Sequence, residues 1–227
     1  MKKAVVILSG GLDSTTCMGI AQNAGYEISA LTFDYGQRHR VELESAKKVA
    51  AHYKVTDHRI VKLDFLQAFG GSALTDEQLE IPMEGLSDDI PITYVPGRNL
   101  LFLSIASSFA EVMDADAIFI GVNALDYSGY PDCRPEFIES VQTAIERGTK
   151  KGVEGRKTTI ETPLLHLTKA EIIRTGMELK VPYELTTSCY QGGDEACGEC
   201  DSCRLRLKGF AEAGHTDPIP YRHSSSS

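Results

Sequence analysis

A doubly wound α/β fold with a mostly parallel sheet is the architecture this sequence predicts, on three observations. The run Ala4–Leu8 (AVVIL) is continuously apolar and lacks polar alternation, as in a parallel strand covered on both faces. A strand and helix alternation continues from it through most of the chain. The unusual polar residues gather in loops that follow predicted strands, where open α/β sheets bind ligands.

The elements follow in order. Ala4–Leu8 is a central strand, Leu12 to Asn23 a helix with Gly25 as its stop, and Glu27–Asp34 (EISALTFD) a second strand, which together make a βαβ unit. A helix over 38–53, a strand over 57–63 and a long irregular stretch over 70–95, rich in Gly, Pro and acids, come next. A helix over 98–113, a strand over 116–122, a helix over 134–148, a strand over 158–161 and a helix over 168–180 complete the alternation. The loops after Leu8, Asp34 and Val122 should therefore converge on one site.

Composition limits what that site serves. With 227 residues, 42% apolar and 24% charged, the chain reads as a single domain over 1–227 with a short polar tail over 214–227, of which Ser224–Ser227 is expected to fray. Its 23 Lys+Arg against 32 Asp+Glu, formal charge −9, disfavour a surface that tracks a nucleic-acid backbone, while leaving room for a local basic pocket. No apolar run approaches the ~18 residues of a membrane span. The five apolar residues after Met1-Lys2-Lys3 are too few for a secretory signal, so a cytoplasmic protein without a membrane partner is expected.

Ser9-Gly10-Gly11-Leu12-Asp13-Ser14-Thr15 lies between the first strand and the first helix, where free N–H groups and the helix dipole favour an anion. It lacks the lysine of a GxxxxGK[ST] loop and is not GxGxxG. Ser9, Ser14 and Thr15 would donate hydroxyls to phosphate, and Asp13, an anion among anions, makes sense against a bound Mg²⁺. Cys17, one helical turn on, reads as core.

Four of the six cysteines, Cys189, Cys197, Cys200 and Cys203, fall within fifteen residues as C-x7-C-x2-C-x2-C. In a reducing compartment this reads as metal ligation. Four thiolates fill one tetrahedral Zn²⁺, making a structural site in a segment over about 185–205. An Fe–S cluster is the alternative, less favoured because the Cys-Pro that closes ferredoxin runs is missing. Cys133 has no evident histidine base and is not assigned as a nucleophile, nor is any of the six histidines assigned as a ligand or catalyst. Arg147, Lys150, Lys151, Arg156 and Lys157 suggest a basic flap over triphosphate or a solvated loop.

The motif SGGLDS resembles the PP-loop of ATP pyrophosphatases, the superfamily that includes GMP synthetase and NAD synthetase. Leu31–His39 (LTFDYGQRH), Val95–Ala106 (VPGRNLLFLSIA) and Gly121–Pro135 (GVNALDYSGYPDCRP) occur in order between it and the cysteine cluster. Together, from residue 4 to about 205, these five features resemble the 7-cyano-7-deazaguanine synthase family of queuosine precursor synthesis. The resemblance implies ATP-dependent conversion of 7-carboxy-7-deazaguanine and ammonium to the nitrile, through an adenylated acid and an adenylated amide, by a carbon–nitrogen ligase. It implies ATP along Leu8, Ser9, Gly10, Gly11, Leu12, Asp13, Ser14, Thr15, Thr16, Cys17 and Met18, with Mg²⁺ and one structural Zn²⁺. The loop type favours AMP and pyrophosphate, with ADP and phosphate left open. With no room for a glutaminase domain, free ammonium is the expected nitrogen source.

On the substrate side, Arg98 and Arg134 at predicted helix starts are candidates to pair with the substrate carboxylate or with phosphates, and Asp126 and Asp132 to accept from the guanine-like N–H edge. Tyr130 would stack on the base, and Asn99 joins this set. A homodimer is left open. The rival readings are a tRNA-thiolating PP-loop enzyme with an Fe–S cluster and a nucleotide sensor without turnover.

Overall fold

A computed structural model describes residues 1–36, 41–76, 78–79, 90–125 and 130–222 of the chain. Asp126, and residues 37–39 with which the motif LTFDYGQRH ends, lie outside the described residues. Among the described residues no helix is long and apolar enough to cross a membrane.

Among the described residues five parallel strands, β1 (Lys3–Ile7), β2 (Glu27–Asp34), β3 (Asp57–Lys62), β4 (Ala117–Phe119) and β5 (Thr159–Glu161), pair in the order β3-β2-β1-β4-β5. β1 is central because its side chains are apolar on both faces. Val5 and Ile7 enter one core with Phe33, Phe102 and Leu103, while Ala4, Val6 and Leu8 enter the other with Met18, Val49 and Ile172. The chain runs outward from β1 through β2 to β3, then returns to pair β4 on the other side of β1. That reversal opens a crevice beyond the carboxyl ends of β1 and β4.

The helices are α1 (Leu12–Asn23), α2 (Val41–His52), α3 (Phe65–Phe69), α4 (Arg98–Val112), α5 (Pro135–Gly148), α6 (Lys150–Val153), α7 (Lys169–Glu178) and α8 (Asp201–Ala213). Sequence periodicity missed α3, α6 and α8. The first two are too short to show a period. In α8 the buried face is Cys203, Arg206, Gly209 and Phe210, a stripe at helical spacing whose members include a charge and a glycine, so it carries little apolar signal.

Within the polar tail, the stretch 214–222 is tied to the body of the protein: Ala196 N–H donates to Pro220 O at 2.9 Å, Arg222 N–H to Ala196 O at 2.9 Å, and the Asp217 carboxylate is buried. Ser224–Ser227, expected to fray, lie outside the described residues. One further expectation is corrected. The basic segment around 147–157 forms no flap over the crevice. Lys151 is buried and donates to Ala115 O at 2.7 Å, and Arg156 pairs with Asp114 at 2.8 Å. Both partners precede β4, at the amino end of the sheet and opposite the crevice.

Candidate active site

The crevice holds a cavity of about 270 Å³, lined from the loop after β1, the loop after β4, the starts of α2, α4 and α7, the stretch 187–190 and α8. Leu8, Ser9, Gly11, Leu12, Asp13 and Ser14 line it from the β1 loop. The loop is pre-shaped by its own hydroxyls. Ser9 N–H donates to Ser14 Oγ at 3.2 Å, Gly11 N–H to Ser9 Oγ at 3.3 Å, and Ser14 Oγ to Gly11 O at 3.1 Å. Gly10 has φ +82°, and a Cβ there would stand 2.5 Å from Glu42 O and 2.6 Å from Ala46 N. Only glycine lets α2 close against the loop from behind.

Four members of the expected nucleotide set point elsewhere. Thr15 is buried and returns its hydroxyl to Gly11 O at 2.8 Å, so it is not aimed at a phosphate. Thr16, Cys17 and Met18 are buried in the core side of α1, where Thr16 Oγ1 lies 2.9 Å from the Tyr183 hydroxyl. Burial pushes the Cys17 thiol well above its ordinary value, and the Asp13 charge adds to this. Gly10 acts behind the loop through its conformation.

Asp13 has a partner that the sequence did not reveal. Lys169 Nζ donates to Asp13 Oδ1 at 2.7 Å and Oδ2 at 2.9 Å, and both residues line the cavity. A helix-start carboxylate thus meets a cation already in the fold, so its presence does not by itself require Mg²⁺. Lys169 is the first residue of α7, behind a Thr168–Glu171 capping box. The rule that pointed to the loops after β1 and β4 applies equally to the loop after β5, and could have found it.

On the opposite wall Arg98, Asn99 and Tyr130 line the cavity, as does Cys133. Asp132 is buried behind this wall: its Oδ2 accepts from Asn99 N–H at 3.0 Å and its backbone O from Asn99 Nδ2 at 3.1 Å. It closes the amino end of α4 and does not line the cavity, contrary to its expected base-reading role. Arg134 is exposed at the amino end of α5 and is likewise not part of the lining. The Tyr130 hydroxyl is 2.7 Å from Thr93 Oγ1. The Cys133 thiol is pushed up to about 12, by burial first and by the adjacent Asp132 charge second, which makes it a poor nucleophile.

Beside Arg98 stand two more lining residues not anticipated from sequence, Tyr35 and Glu42. Arg98 hydrogen-bonds the Tyr35 phenol, whose pKa burial raises to about 12. Burial also raises the Glu42 carboxyl to about 7, against the opposing pull of the Arg98 charge.

The third wall comes from the cysteine segment. Cys189, Cys197, Cys200 and Cys203 are all buried, and their sulfurs lie within 4.8 Å of one another. Cys197 Sγ and Cys203 Sγ are 3.9 Å apart. A tetrahedral ion with bonds of about 2.3 Å places its sulfurs about 3.8 Å apart, whereas a disulfide requires about 2.05 Å. Backbone N–H groups of Cys197, Glu199 and Cys200 point at Cys189 Sγ or Cys197 Sγ at 3.3–3.4 Å, and Cys200 caps the amino end of α8. The same turn carries Thr187, Ser188 and Tyr190 into the cavity lining, and Thr187 N–H donates to Gly10 O at 3.0 Å. The cysteine cluster is therefore mechanically joined to the phosphate-type loop.

Among solved structures, a 4-thiouridine synthetase complexed with RNA and bound ATP superposes with TM-score 0.53 at 20% identity, over 97% of this chain and 47% of that longer one. The NMN synthetase from Francisella tularensis superposes with TM-score 0.50 at 16% identity, over 93% of this chain and 87% of that one. At such identities these likenesses speak for the shared fold. Among sequence relatives, the 7-cyano-7-deazaguanine synthases of Oceanobacillus iheyensis and Acetivibrio thermocellus are 61% and 60% identical, over 97% of this chain and 98% of each of theirs. That of Coxiella burnetii is 54% identical over the same shares. The model of the family described as queuosine biosynthesis protein QueC matches residues 3–214, and by this match and those identities the chain belongs to that family of 7-cyano-7-deazaguanine synthases.

Proposed function

We propose that this chain is an ATP-dependent carbon–nitrogen ligase that turns 7-carboxy-7-deazaguanine and ammonia into 7-cyano-7-deazaguanine in queuosine biosynthesis. The observation that carries the reading is the cavity itself. The SGGLDS loop with its Asp13–Lys169 pair forms one wall and an aromatic, arginine-bearing pocket the other, in a chain whose relatives bear that activity's name. Those relatives also set the tRNA-thiolating alternative aside.

A carboxylate resists ammonia because its carbon is shielded by negative charge and its oxygen leaves poorly. In the proposed course a carboxylate oxygen attacks the ATP α-phosphorus and pyrophosphate departs. Ammonia then adds to the acyl carbon, and AMP leaves as the amide forms. The amide oxygen attacks the α-phosphorus of a second ATP and expels pyrophosphate, and loss of AMP with the two N–H protons gives the nitrile. The N–H groups of the loop and the start of α1 hold the departing pyrophosphate, with Ser9 and Ser14 positioned to orient it and Lys169 to neutralise it. Tyr130 and the rings beside it hold the flat base.

The residues present fit the two metals that such chemistry uses. Mg²⁺ is ordinarily held by one or two carboxylates plus substrate phosphates, and Asp13 is a carboxylate in the cavity wall. When bound, the ion offsets phosphate charge. A Zn²⁺ held by Cys189, Cys197, Cys200 and Cys203 is structural, since the four sulfurs leave no open position. The protein works in the cytoplasm, where free ammonium is the nitrogen source.

The test is incubation with ATP, ammonium and the deazaguanine acid, with nitrile, amide and nucleotide products read together by mass spectrometry. Nitrile with AMP and pyrophosphate is the expected result. Nucleotide binding without any product would favour a sensor.

A further inference from the structure

At the end of the cavity beside β2 and α4, Phe33 and Phe102 stack with centroids 4.1 Å apart and planes 10° from parallel, and both line the cavity together with Tyr35, Glu42 and Arg98. We infer that Glu42 is the specificity-determining acceptor for the base: its carboxylate receives the ring N–H and the exocyclic amino group of a guanine-like edge, while Arg98 donates to the neighbouring carbonyl oxygen. This inference rests on the proposed function and names the residue that selects its substrate.

Among the described residues nothing hydrogen-bonds the Glu42 carboxyl; burial, the Arg98 charge and the neighbouring Tyr35 phenol act on it. As a carboxylate it would stand in the cavity wall without a donor, which is unfavourable, so an occupant of the cavity that supplies donors would favour its charged form. Triphosphate and the substrate carboxylate are acceptors and cannot. An adenine edge offers one amino donor beside an acceptor nitrogen. A 2-amino lactam edge offers two adjacent N–H donors, which match both oxygens of one carboxylate, followed by a carbonyl that matches a guanidinium.

Two alternatives are weaker. Glu42 lies in the first turn of α2, where an acid complements the helix dipole. Glu44, in the same turn, fills that role from the surface while paired with Lys47 at 2.7 Å, so the dipole gives no reason to turn the half-buried Glu42 into the cavity wall. The buried acid of this region, Asp132, already accepts from Asn99 at the head of α4. The raised Glu42 pKa fits a carboxyl that a donor edge would draw into its charged form.

The experiment compares kcat/KM for the deazaguanine acid and for its 2-deamino analogue in the wild type, Glu42→Gln and Glu42→Asp. The wild type should prefer the amino substrate by about ten- to a hundredfold, the discrimination that a good bidentate pair gives. Glu42→Gln should cut that preference to about threefold or less, with the KM for ATP unchanged. Glu42→Asp keeps the carboxylate one carbon further back, so it should retain an intermediate preference and serves if the glutamine variant does not fold. An unchanged preference in both variants overturns the inference and leaves the proposed function standing, as does a rise in the KM for ATP alone, which would place Glu42 at the nucleotide. A wild type that makes nitrile from neither acid overturns the proposed function, and the inference with it.

Discussion

Arg206 and Asp217 form a bidentate ion pair inside the protein: Arg206 Nε lies 2.7 Å from Asp217 Oδ2 and Nη2 2.9 Å from Oδ1, with each side chain 2% exposed. The remaining guanidinium protons go to Thr186 Oγ1 at 2.7 Å, Ser188 Oγ at 3.3 Å and Tyr183 O at 3.2 Å, while the Tyr221 hydroxyl donates to Asp217 Oδ2 at 2.6 Å. One charged pair thus ties α8, the cavity wall at 186–188 and the chain end at 217–221. It satisfies every partner, which is the condition under which a buried pair is tolerated.

Asp217→Ala should cost about 3–5 kcal/mol, because it strands the Arg206 charge in the interior. For a chain of this size that corresponds to a melting temperature lower by about 6–20 °C. Calorimetry measures it, and protease cleavage between residues 186 and 196 should accelerate in parallel. A shift below about 2 °C would mean that the pair contributes no net stability.

Asp13→Ala removes a carboxylate from the cavity wall and leaves Lys169, whose side chain is 11% exposed, without that partner. The expected cost is about 1–3 kcal/mol of stability, with ATP-dependent turnover lower by at least about a hundredfold. Lys169→Ala should lose turnover comparably, and the double variant should be far less impaired than the sum of the two. Additive losses in the double-mutant cycle would separate the two roles.

Gly10→Ala places a methyl group 2.5 Å from one backbone atom of α2 and 2.6 Å from another, at φ +82°. Neither neighbour can turn away as a side chain would, so the loop or the helix must move, at a cost of about 2 kcal/mol or more. Urea denaturation and ATP binding should both show it. Wild-type ATP affinity in this variant would refute the link between the α2 contact and the loop's shape.

Cys200→Ser opens a four-sulfur shell, and the loss should appear as unfolding of the segment around 185–205 before it appears in chemistry. The wild-type protein should contain about one zinc per chain and be colourless. Elemental analysis with visible spectroscopy checks this; stoichiometric iron with visible absorbance would replace zinc by a cluster.

Glu42 gives stability a sign with pH. Its carboxyl stays protonated in the folded state up to about 7, above an ordinary value of 4.5, so the folded protein binds the extra proton between those limits. That contribution is complete below the unfolded value and is lost as pH rises through about 7. Relative to Glu42→Gln, whose neutral amide does not titrate, the wild type should lose on the order of 2 kcal/mol between about pH 5 and pH 8. Urea melts of both proteins at the two pH values measure the difference; a constant gap would contradict the burial of that carboxyl.

Local chemistry was enough for much of this protein. An uninterrupted β-branched run can only be a covered strand, so Ala4–Leu8 placed β1 at the centre of a parallel sheet. Two glycines before a helix start marked the anion loop, and the x2 spacings of Cys197, Cys200 and Cys203 announced their convergence. Each of these signals is written within a few residues. What the tertiary structure decided depends on groups far apart in the chain. Asp13 meets Lys169 across 156 residues, Glu42 joins Arg98 from a different helix, and Asp132 turns to cap α4 while Arg134, two residues on, stays outside the cavity lining. A motif states which residue types are present, but side-chain direction is set by packing: the period of α1 sends Asp13 and Ser14 to the cavity and Thr16, Cys17 and Met18 to the core. Arg206 obeys the same rule: a charge in a helix of low apolar content, it becomes a core residue only because Asp217 folds back to meet it.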